Sequence, residues 1–324
     1  MEILKKYNGT LEQYLTQAIA HKEPSQLYEP INYILSLGGK RIRPTLTMMV
    51  CDFFGTDFHK AINASLAVEL FHNFSLIHDD IMDNAPLRRG KKTVHEKWDV
   101  NTAILSGDAM LILAYQFFES YGPLMFQELA KLFSETALKV CEGQQHDMDF
   151  ETRDDVSLPE YIEMIDNKTA VLVGAAMKMG AIVAGTTLQD KTGIYEFGRN
   201  LGIAFQLQDD YLDVFGDPET FGKQVGGDII SNKKTILYLF AIAQGTSAQA
   251  EELEHLFSIN PKDPQDKITT VREIYESTGA ALATKKEIEK YSALAFSILP
   301  TLNLPEEKRE LLREFGIRLM QRKV

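Results

Sequence analysis

Two acidic clusters contain the residues of this sequence that are best suited to chemistry. They occupy residues 79–83 (DDIMD) and 209–213 (DDYLD), so both follow an Asp-Asp-x-x-Asp pattern. At about 100° per residue, the first and last aspartates of such a cluster lie about 40° apart on one helical face. Neighbouring carboxylates repel one another, and a divalent cation removes the repulsion. Oxygen donors without Cys or His favour Mg²⁺, completed by water and substrate phosphates.

Each cluster follows an apolar stretch, residues 71–78 (FHNFSLIH) in one case and 201–208 (LGIAFQLQ) in the other. A lone acidic cluster is as readily a solvated helix face as a metal site. Acids that end an apolar face, however, point towards a cleft, where a carboxylate must be paired or bind metal. Two such clusters in one chain therefore predict two metal-binding sites.

Composition narrows the choice of ligand and location. The net charge of −12 argues against nucleic acid, which requires a basic surface. A phosphate ligand must then be held by local cations and metal ions. No apolar run approaches the roughly 18 residues of a membrane span, and the first residues do not resemble a signal peptide. Cys51 and Cys141 occur outside any motif, which predicts two buried thiols in a reducing cytoplasm.

Helical periodicity dominates the elements that must position these residues, and strand alternation is almost absent. Apolar spacings of three and four predict helices at 61–78, 101–118, 124–141, 158–184 and 192–213, and a last helix from Pro305. The fold class is therefore all-α, with many antiparallel helices. If the two clusters share a substrate, the intervening segment belongs to one compact unit, so we predict a single domain over residues 1–324.

Basic segments match the acidic ones. Residues 38–44 (GGKRIRP) join two helices; the glycines let backbone approach a ligand, and the three cations are expected to point outward. A solvated helix end is the alternative. Residues 88–92 (RRGKK) follow the first cluster, and the planar fork of arginine suits phosphate oxygens. Further cations that could reach a phosphate are Lys168, Lys223, Lys233 and Lys234.

The chain resembles the trans-isoprenyl diphosphate synthases in five segments. In chain order they are GGKRIRP, DDIMD with RRG, residues 143–147 (GQQHD), Lys168-Thr169 and residues 205–213 (FQLQDDYLD). The resemblance extends from Gly38 to about Lys234. It implies the isoprenoid synthase fold, a large antiparallel helical bundle around a central active-site cavity. It also implies a homodimer that condenses isopentenyl diphosphate head-to-tail with an allylic diphosphate; the cytoplasmic location is expected from the two cysteines.

The resemblance assigns a role to each matching position. It implies three Mg²⁺ ions per active site, two bound by Asp79, Asp83 and Asp147 and the third by Asp209, with Asp80, Asp210 and Asp213 in support. The implied partners of the allylic diphosphate are Arg88, Lys168 and Lys223, with Thr169, Gln206 and Lys233 nearby. The implied isopentenyl diphosphate pocket is Lys40, Arg43, His72 and Arg89, although His72 alone could be an ordinary core histidine. The roles of Asp228 and of the basic tail at Arg322-Lys323 stay open.

The implied chemistry follows from these residues. Diphosphate leaves an allylic carbon, metal ions with Arg and Lys stabilise the developing charge, and the double bond of isopentenyl diphosphate attacks the cation. Phe74 and Ser75 precede Asp79 by five and four residues, about 6 to 7.5 Å along the helix, and are expected to set product length. An aromatic residue followed by a small one resembles the pattern of synthases that make the twenty-carbon product, geranylgeranyl diphosphate. The fifteen-carbon product is the second candidate. Alternatively, Phe74 is an ordinary core residue.

Three other functions would use some of these residues. A terpene cyclase on the same fold needs only one substrate pocket and usually carries a mixed second cluster, whereas residues 209–213 keep all three aspartates. An inert partner subunit of a synthase predicts a damaged cluster, and both clusters are intact. A helical divalent-ion buffer would leave the basic groups unexplained.

Overall fold

The computed structural model describes residues 2–18, 22–217 and 225–321. Three predicted residues, Lys223, Arg322 and Lys323, lie outside this range. The chain divides into two compact units: unit 1 comprises Met1–Ser134 and Ala175–Thr192, and unit 2 comprises Glu135–Gly174 and Gly193–Val324. The single domain over residues 1–324 stays a prediction. None of the helices in the described ranges combines the length and hydropathy needed to cross a membrane.

The all-α prediction is confirmed. The first helices are α1 (Glu2–Ala18), α2 (Ser25–Ser36), α3 (Ile42–Phe53), α4 (Ile62–Met82), α5 (Val94–Lys97), α6 (Val100–Phe118) and α7 (Pro123–Thr152). The middle of the chain forms α8 (Leu158–Ile165), a π-helical turn (Asp166–Ala170), α9 (Val171–Ala184) and α10 (Leu188–Phe215). The remaining helices are α11 (Gly227–Ile230), α12 (Ile236–Gln244), α13 (Ser247–Leu256), α14 (Gln265–Ser277), α15 (Ala280–Ile298) and α16 (Glu306–Met320). Short 3₁₀ helices cover Phe58–Ala61 and Leu299–Thr301, and β1 (Leu87–Arg88) pairs antiparallel with β2 (Lys91–Lys92).

Close helix packing in unit 1 depends on small residues. A Cβ at Gly107 of α6 would lie 2.4 Å from Nε2 of His78 on α4, so the glycine lets the His78 ring lie against α6. On α9, a Cβ at Gly180 would lie 2.2 Å from the carbonyl oxygen of Thr47 on α3. The Thr47 hydroxyl donates to the carbonyl of Ala176 at 2.8 Å. Helix α9 thus packs closely on α3, and α6 lies against α4, whose C-terminal end carries the first acidic cluster.

Unit 2 has its own apolar core, in which Phe150, Tyr161, Ile236 and Tyr275 are almost fully buried. Helix α8 begins with a capping box: the Ser157 hydroxyl accepts from the Glu160 N–H, and the Glu160 carboxylate accepts from the Ser157 N–H. This reciprocal cap fixes where α8 starts, eight residues before the π turn.

Three sequence predictions need correction. Helix α7 continues to Thr152, past the predicted end at Cys141, because segment 142–149 contains no proline and the single glycine, Gly143, weakens a helix without ending it. The predicted helix over 158–184 has the right ends but contains the π turn, which periodicity cannot reveal. Cys141 is exposed rather than buried, because its face of α7 points outward in the described structure; Cys51 is buried as expected.

Candidate active site

The first acidic cluster occupies the C-terminal end of α4, and its members have different surroundings. The Asp83 N–H donates to the carbonyl of Asp79 at 2.9 Å, so Asp83 continues the helical turn. Asp80 is buried and accepts from Arg88, with Nε at 2.9 and 3.0 Å and Nη2 at 2.7 Å. Burial raises the pKa of Asp80, and Arg88 opposes that shift. Asp83 is exposed, and Asp79 lies 3.6 Å from Nη2 of Arg88.

The predicted basic segments of unit 1 lie against each other. Arg89 and Gly90 form the two-residue turn between β1 and β2, and both have positive φ, 53° and 73°. This conformation is the one that matches the twist of a tight hairpin. It places the Arg89 guanidinium on Gly39, where a Cβ would lie 2.8 Å from Nη2, and Nη1 donates to the carbonyl of Gly38. Gly39 also has a φ of 132°, a conformation that residues with a side chain rarely adopt, so glycine suits this position.

Arg41 is a correction to the expectation that three cations of residues 38–44 point outward. Its side chain is only 2% exposed and pairs with Glu69 and Glu12, and it also donates to the carbonyl of Leu35. Its φ of 46° turns the chain between α2 and α3. Arg41 thus holds the loop in place, whereas Lys40 is exposed.

Arg43 and His72 form the inner part of this basic group. Nη1 of Arg43 lies 3.4 Å from Nε2 of His72, and Nε of Arg43 is buried without a hydrogen bond in the described structure. Burial and the guanidinium groups of Arg43 and Arg89 hold the pKa of His72 well below its usual range, so the imidazole is neutral. A buried guanidinium donor without a partner is costly unless an anion binds there. Arg43 and His72 are therefore candidates for an anion site.

In unit 2, the π turn packs against α7 and α10, and each helix has a glycine at the contact. A Cβ at Gly143 of α7 would lie 2.2 Å from the backbone nitrogen of Lys168, and one at Gly202 of α10 would lie 2.7 Å from Cα of Ala170. π turns are rare and frequent at functional sites. This one carries Lys168 and Thr169, two of the residues predicted to contact the allylic diphosphate.

Asp147 lies on α7 one helical turn after Gly143, and two lysines pair with it. Nζ of Lys168 is 2.5 Å and Nζ of Lys233 is 3.3 Å from Oδ2 of Asp147. Burial tends to raise the pKa of Asp147, but the two ammonium groups outweigh it and hold the pKa below its ordinary value. Asp147 is therefore a carboxylate with cations already around it.

The members of the second acidic cluster also have different hydrogen-bond partners. Asp210 is buried and accepts from the Tyr161 hydroxyl at 2.6 Å and from Nε2 of Gln206 at 3.1 Å. Burial raises the pKa of Asp210 to about 6, against these hydrogen bonds. Asp213 accepts from the backbone N–H of Asp228 at 3.0 Å, which ties α10 to the start of α11. Asp228, whose role was open, thus contributes its backbone to this end of the cluster.

These groups surround a polar cleft of about 130 Å³ within unit 2. Its polar lining includes Asp147, Lys168, Thr169, Gln206, Asp209, Asp210, Asp213, Asp228 and Lys233. No group of three Asp, Glu, His or Cys side chains within the described residues is close enough to form a complete metal cage. The donors are nevertheless all carboxylates, and Mg²⁺ is usually held by one or two carboxylates plus substrate phosphates, so the donor set fits this ion.

Phe74 lies one turn above an aromatic group in unit 1. Its ring is 4.7 Å from that of His78 and 5.5 Å from that of Phe71. Phe71, Phe118 and Phe133 are at most 1% exposed and pack edge-to-face, with Phe133 at the centre. Ser75 donates to the carbonyl of His72 at 2.8 Å. Phe74 therefore lies between the first cluster and an aromatic layer formed by Phe71, Phe118 and Phe133.

The comparisons with known proteins agree with this geometry. The family model described as polyprenyl synthetase matches residues 24–276. The chain belongs to the polyprenyl synthetase family. The short chain isoprenyl diphosphate synthase of Methanothermobacter thermautotrophicus is 37% identical over 319 residues, covering 98% of this chain and 94% of that protein. A crystal structure of a geranylgeranyl pyrophosphate synthase is 53% identical, with a TM-score of 0.95 and 99% of each chain covered.

Family membership fixes the coarse chemistry. A (2E,6E)-farnesyl diphosphate synthase of Mycobacterium bovis is 34% identical over 288 residues, covering 88% of this chain and 80% of that protein. The structural similarity confirms the isoprenoid synthase fold. Polyprenyl synthetases use divalent metal, and their substrates are isopentenyl and allylic diphosphates.

Each unit gathers one of the predicted sets. Unit 1 gathers Arg43, His72, Arg88 and Arg89 near the first cluster, and unit 2 gathers Asp147, Lys168, Thr169, Gln206, Lys233 and the second cluster. Sequence reasoning missed Tyr161, which is the hydroxyl donor to Asp210. It also missed the ion pair between Asp166 and Arg199 behind the π turn. Neither pair has a recognisable spacing, because its members lie on different helices.

Proposed function

We propose that this protein is a geranylgeranyl diphosphate synthase, with farnesyl diphosphate as the second candidate product. It is a prenyltransferase that condenses isopentenyl diphosphate with dimethylallyl, geranyl or farnesyl diphosphate and releases diphosphate. The similarity to synthases named for geranylgeranyl product supports the twenty-carbon assignment. Phe74 followed by the small Ser75 supports it as well.

The roles of the site residues form part of the proposal. Asp79, Asp83, Asp147 and Asp209 would hold three Mg²⁺ ions, with Asp80, Asp210 and Asp213 supporting the clusters. Bound Mg²⁺ would supply electrostatic stabilisation of the departing diphosphate. Arg88, Lys168 and Lys233 donate to the allylic diphosphate, so that they stabilise negative charge where it develops. Thr169 and Gln206, joined at 3.3 Å, orient that set. Lys223 retains its predicted role.

Condensation needs a second substrate. The anion site proposed at Arg43, His72 and Arg89 would bind the diphosphate of isopentenyl diphosphate. The neutral His72 can donate one hydrogen bond without adding charge, while Arg43 offers its buried Nε. Lys40 lies at the exposed edge of the same loop. After the new carbon–carbon bond forms, the departing diphosphate is the base that takes the proton, since no side chain of the described site stands out for that step.

One observation favours condensation over cyclisation: Nε of Arg43 is buried without a hydrogen-bond partner, whereas Arg88 already pairs with Asp80. A terpene cyclase ionises one diphosphate and has no use for a second such site. The proposal also includes a homodimer in the cytoplasm, which gel filtration with light scattering and cell fractionation would test.

Turnover with product chromatography tests the function. The protein would be incubated with Mg²⁺ and isopentenyl diphosphate plus each allylic primer, and the products dephosphorylated and separated. We expect mainly the twenty-carbon alcohol and none after EDTA treatment. Hydrocarbon release from an allylic diphosphate alone would instead show a cyclase. Absence of turnover with every primer would support an inert subunit.

A further inference from the structure

The ion pair between Arg199 and Asp166 lies behind the π turn that carries Lys168. Nε of Arg199 lies 2.8 and 2.9 Å from the two carboxylate oxygens of Asp166, and Nη2 lies 2.5 Å from Oδ2. Asp166 is 6% exposed, whereas Arg199 is partly exposed on α10. Such a forked pair holds both groups in one orientation. Neither residue belongs to a motif that the prenyl transfer reaction uses.

Asp166 is the first residue of the π turn, and it is tied there by backbone as well as side chain. Its carbonyl accepts the N–H of Val171, the hydrogen bond that spans five residues and widens the turn. Fixing the Asp166 carboxylate therefore fixes the start of the wide turn. Lys168 is two residues further along the same turn.

Helix α10 contacts the π turn at three points with helical spacing. Arg199 binds Asp166, Gly202 lies against Ala170, and Gln206 meets Thr169 at 3.3 Å. Positions 199, 202 and 206 are three and four residues apart, so they share one face of α10. The Gly202 and Gln206 contacts fix the later half of the turn. The Arg199 contact is the one that fixes its start.

Packing does not supply this restraint on the outer side of the turn. Asp166, Asn167 and Arg199 line a cavity of about 790 Å³ within unit 2. Although Asp166 is itself buried, the part of the turn that borders this cavity lacks packing atoms on the cavity side. On the opposite side, Gly143 packs on Lys168 backbone and leaves no room for inward movement. Outward movement is thus opposed mainly by the Arg199–Asp166 pair.

We infer that Arg199 is a positioning residue for prenyl transfer: through Asp166 it holds the π turn so that Lys168 meets the allylic diphosphate and Asp147. The inference rests on the proposed role of Lys168. Release of the pair would let Lys168 shift outward, and a displacement of about 1 Å at a charge-stabilising group can cost up to 100-fold in rate. The residues proposed to bind isopentenyl diphosphate belong to unit 1, so the KM for that substrate should not change.

A double-mutant cycle between Arg199→Met and Lys168→Ala tests this inference. Methionine keeps the unbranched stem of arginine and removes its fork. We expect Arg199→Met to raise KM for geranyl diphosphate about tenfold and to lower kcat, with KM for isopentenyl diphosphate changed less than twofold. In the Lys168→Ala background, Arg199→Met should add less than a twofold effect. Arg153→Met is the matched control, because Arg153 is equally exposed and pairs with Asp155 and Glu160 away from the turn.

The outcomes separate the inference from the function beneath it. Additive effects of the two substitutions, or equal increases in both KM values, would show that Arg199 does not act through Lys168 and would overturn the inference. Normal KM and kcat in Lys168→Ala would instead overturn the proposed role of Lys168. If Arg199→Met does not fold, Asp166→Asn, which preserves shape and weakens the pair, takes its place in the cycle with the same expectations.

Discussion

Arg88 and Asp80 form a forked ion pair at the end of α4, with three N–O distances between 2.7 and 3.0 Å. The pair gives the middle aspartate of the first cluster a partner within the protein. It also holds the Arg88 guanidinium 3.6 Å from Asp79. The three aspartates are therefore unequal: Asp80 orients an arginine, and Asp79 and Asp83 are the better candidates for metal.

The first prediction follows from this inequality. Asp79→Ala and Asp209→Ala should each lower turnover at least about 100-fold, as expected for removing a group that supports charge stabilisation. Asp80→Asn should raise the Mg²⁺ concentration needed for half-maximal turnover less than Asp79→Asn does. Steady-state assays over a Mg²⁺ titration measure both effects. Near-normal turnover in the two alanine variants would refute the two-cluster mechanism.

The second prediction concerns the isopentenyl anion site. Lys40→Ala and Arg43→Ala should raise KM for isopentenyl diphosphate about tenfold and change KM for the allylic substrate little, because these groups hold the uncleaved partner. Lys91→Ala is the matched control, since Lys91 is an exposed hairpin cation outside the predicted site. If the increase appeared only with the allylic substrate, the two substrate assignments would have to be exchanged.

The third prediction concerns stability and pH in metal-free protein. Burial raises the pKa of Asp210 from an unfolded value near 3.8 to about 6, so ionisation costs folding free energy. The destabilisation is absent below pH 4, grows as pH rises through 6 and is constant above it. Asp210→Asn cannot ionise, so it should be more stable than the wild type at pH 8 by about 1–3 kcal/mol. The two should converge towards pH 4.

Thermal unfolding in EDTA at several pH values measures this difference. EDTA is required because a bound cation would favour the carboxylate and hide the effect. Asp210→Asn keeps an oxygen for the Tyr161 hydroxyl, so the comparison isolates the charge. A stability difference that does not vary between pH 4 and pH 8 would mean that Asp210 ionises normally in the folded state.

The sequence predicted the helices and the identity of the acidic and basic groups because these depend on local spacing. Helix α4 and its terminal aspartates illustrate this, since both follow from a 3.6-residue period. Contacts between helices could not be predicted in this way. Arg41 has the same local signal as Arg43, yet it is buried against Glu69 from another helix. The π turn likewise depends on Gly143 and Gly202, which are distant in sequence.

The last prediction concerns product length. Phe74→Ala should lengthen the product by one five-carbon unit, because it opens space beneath the first cluster without touching the ionising groups. Further elongation should then stop at the aromatic layer centred on Phe133, whose ring packs on Phe71, Phe118 and Tyr115. Phe133→Ala alone should leave the product unchanged, since Phe74 still lies above it. Phe74→Ala combined with Phe133→Ala should give longer chains than Phe74→Ala does. Chromatography of the dephosphorylated products distinguishes these outcomes, and a longer product from Phe133→Ala alone would mean that Phe74 is ordinary core and not the limit to chain growth.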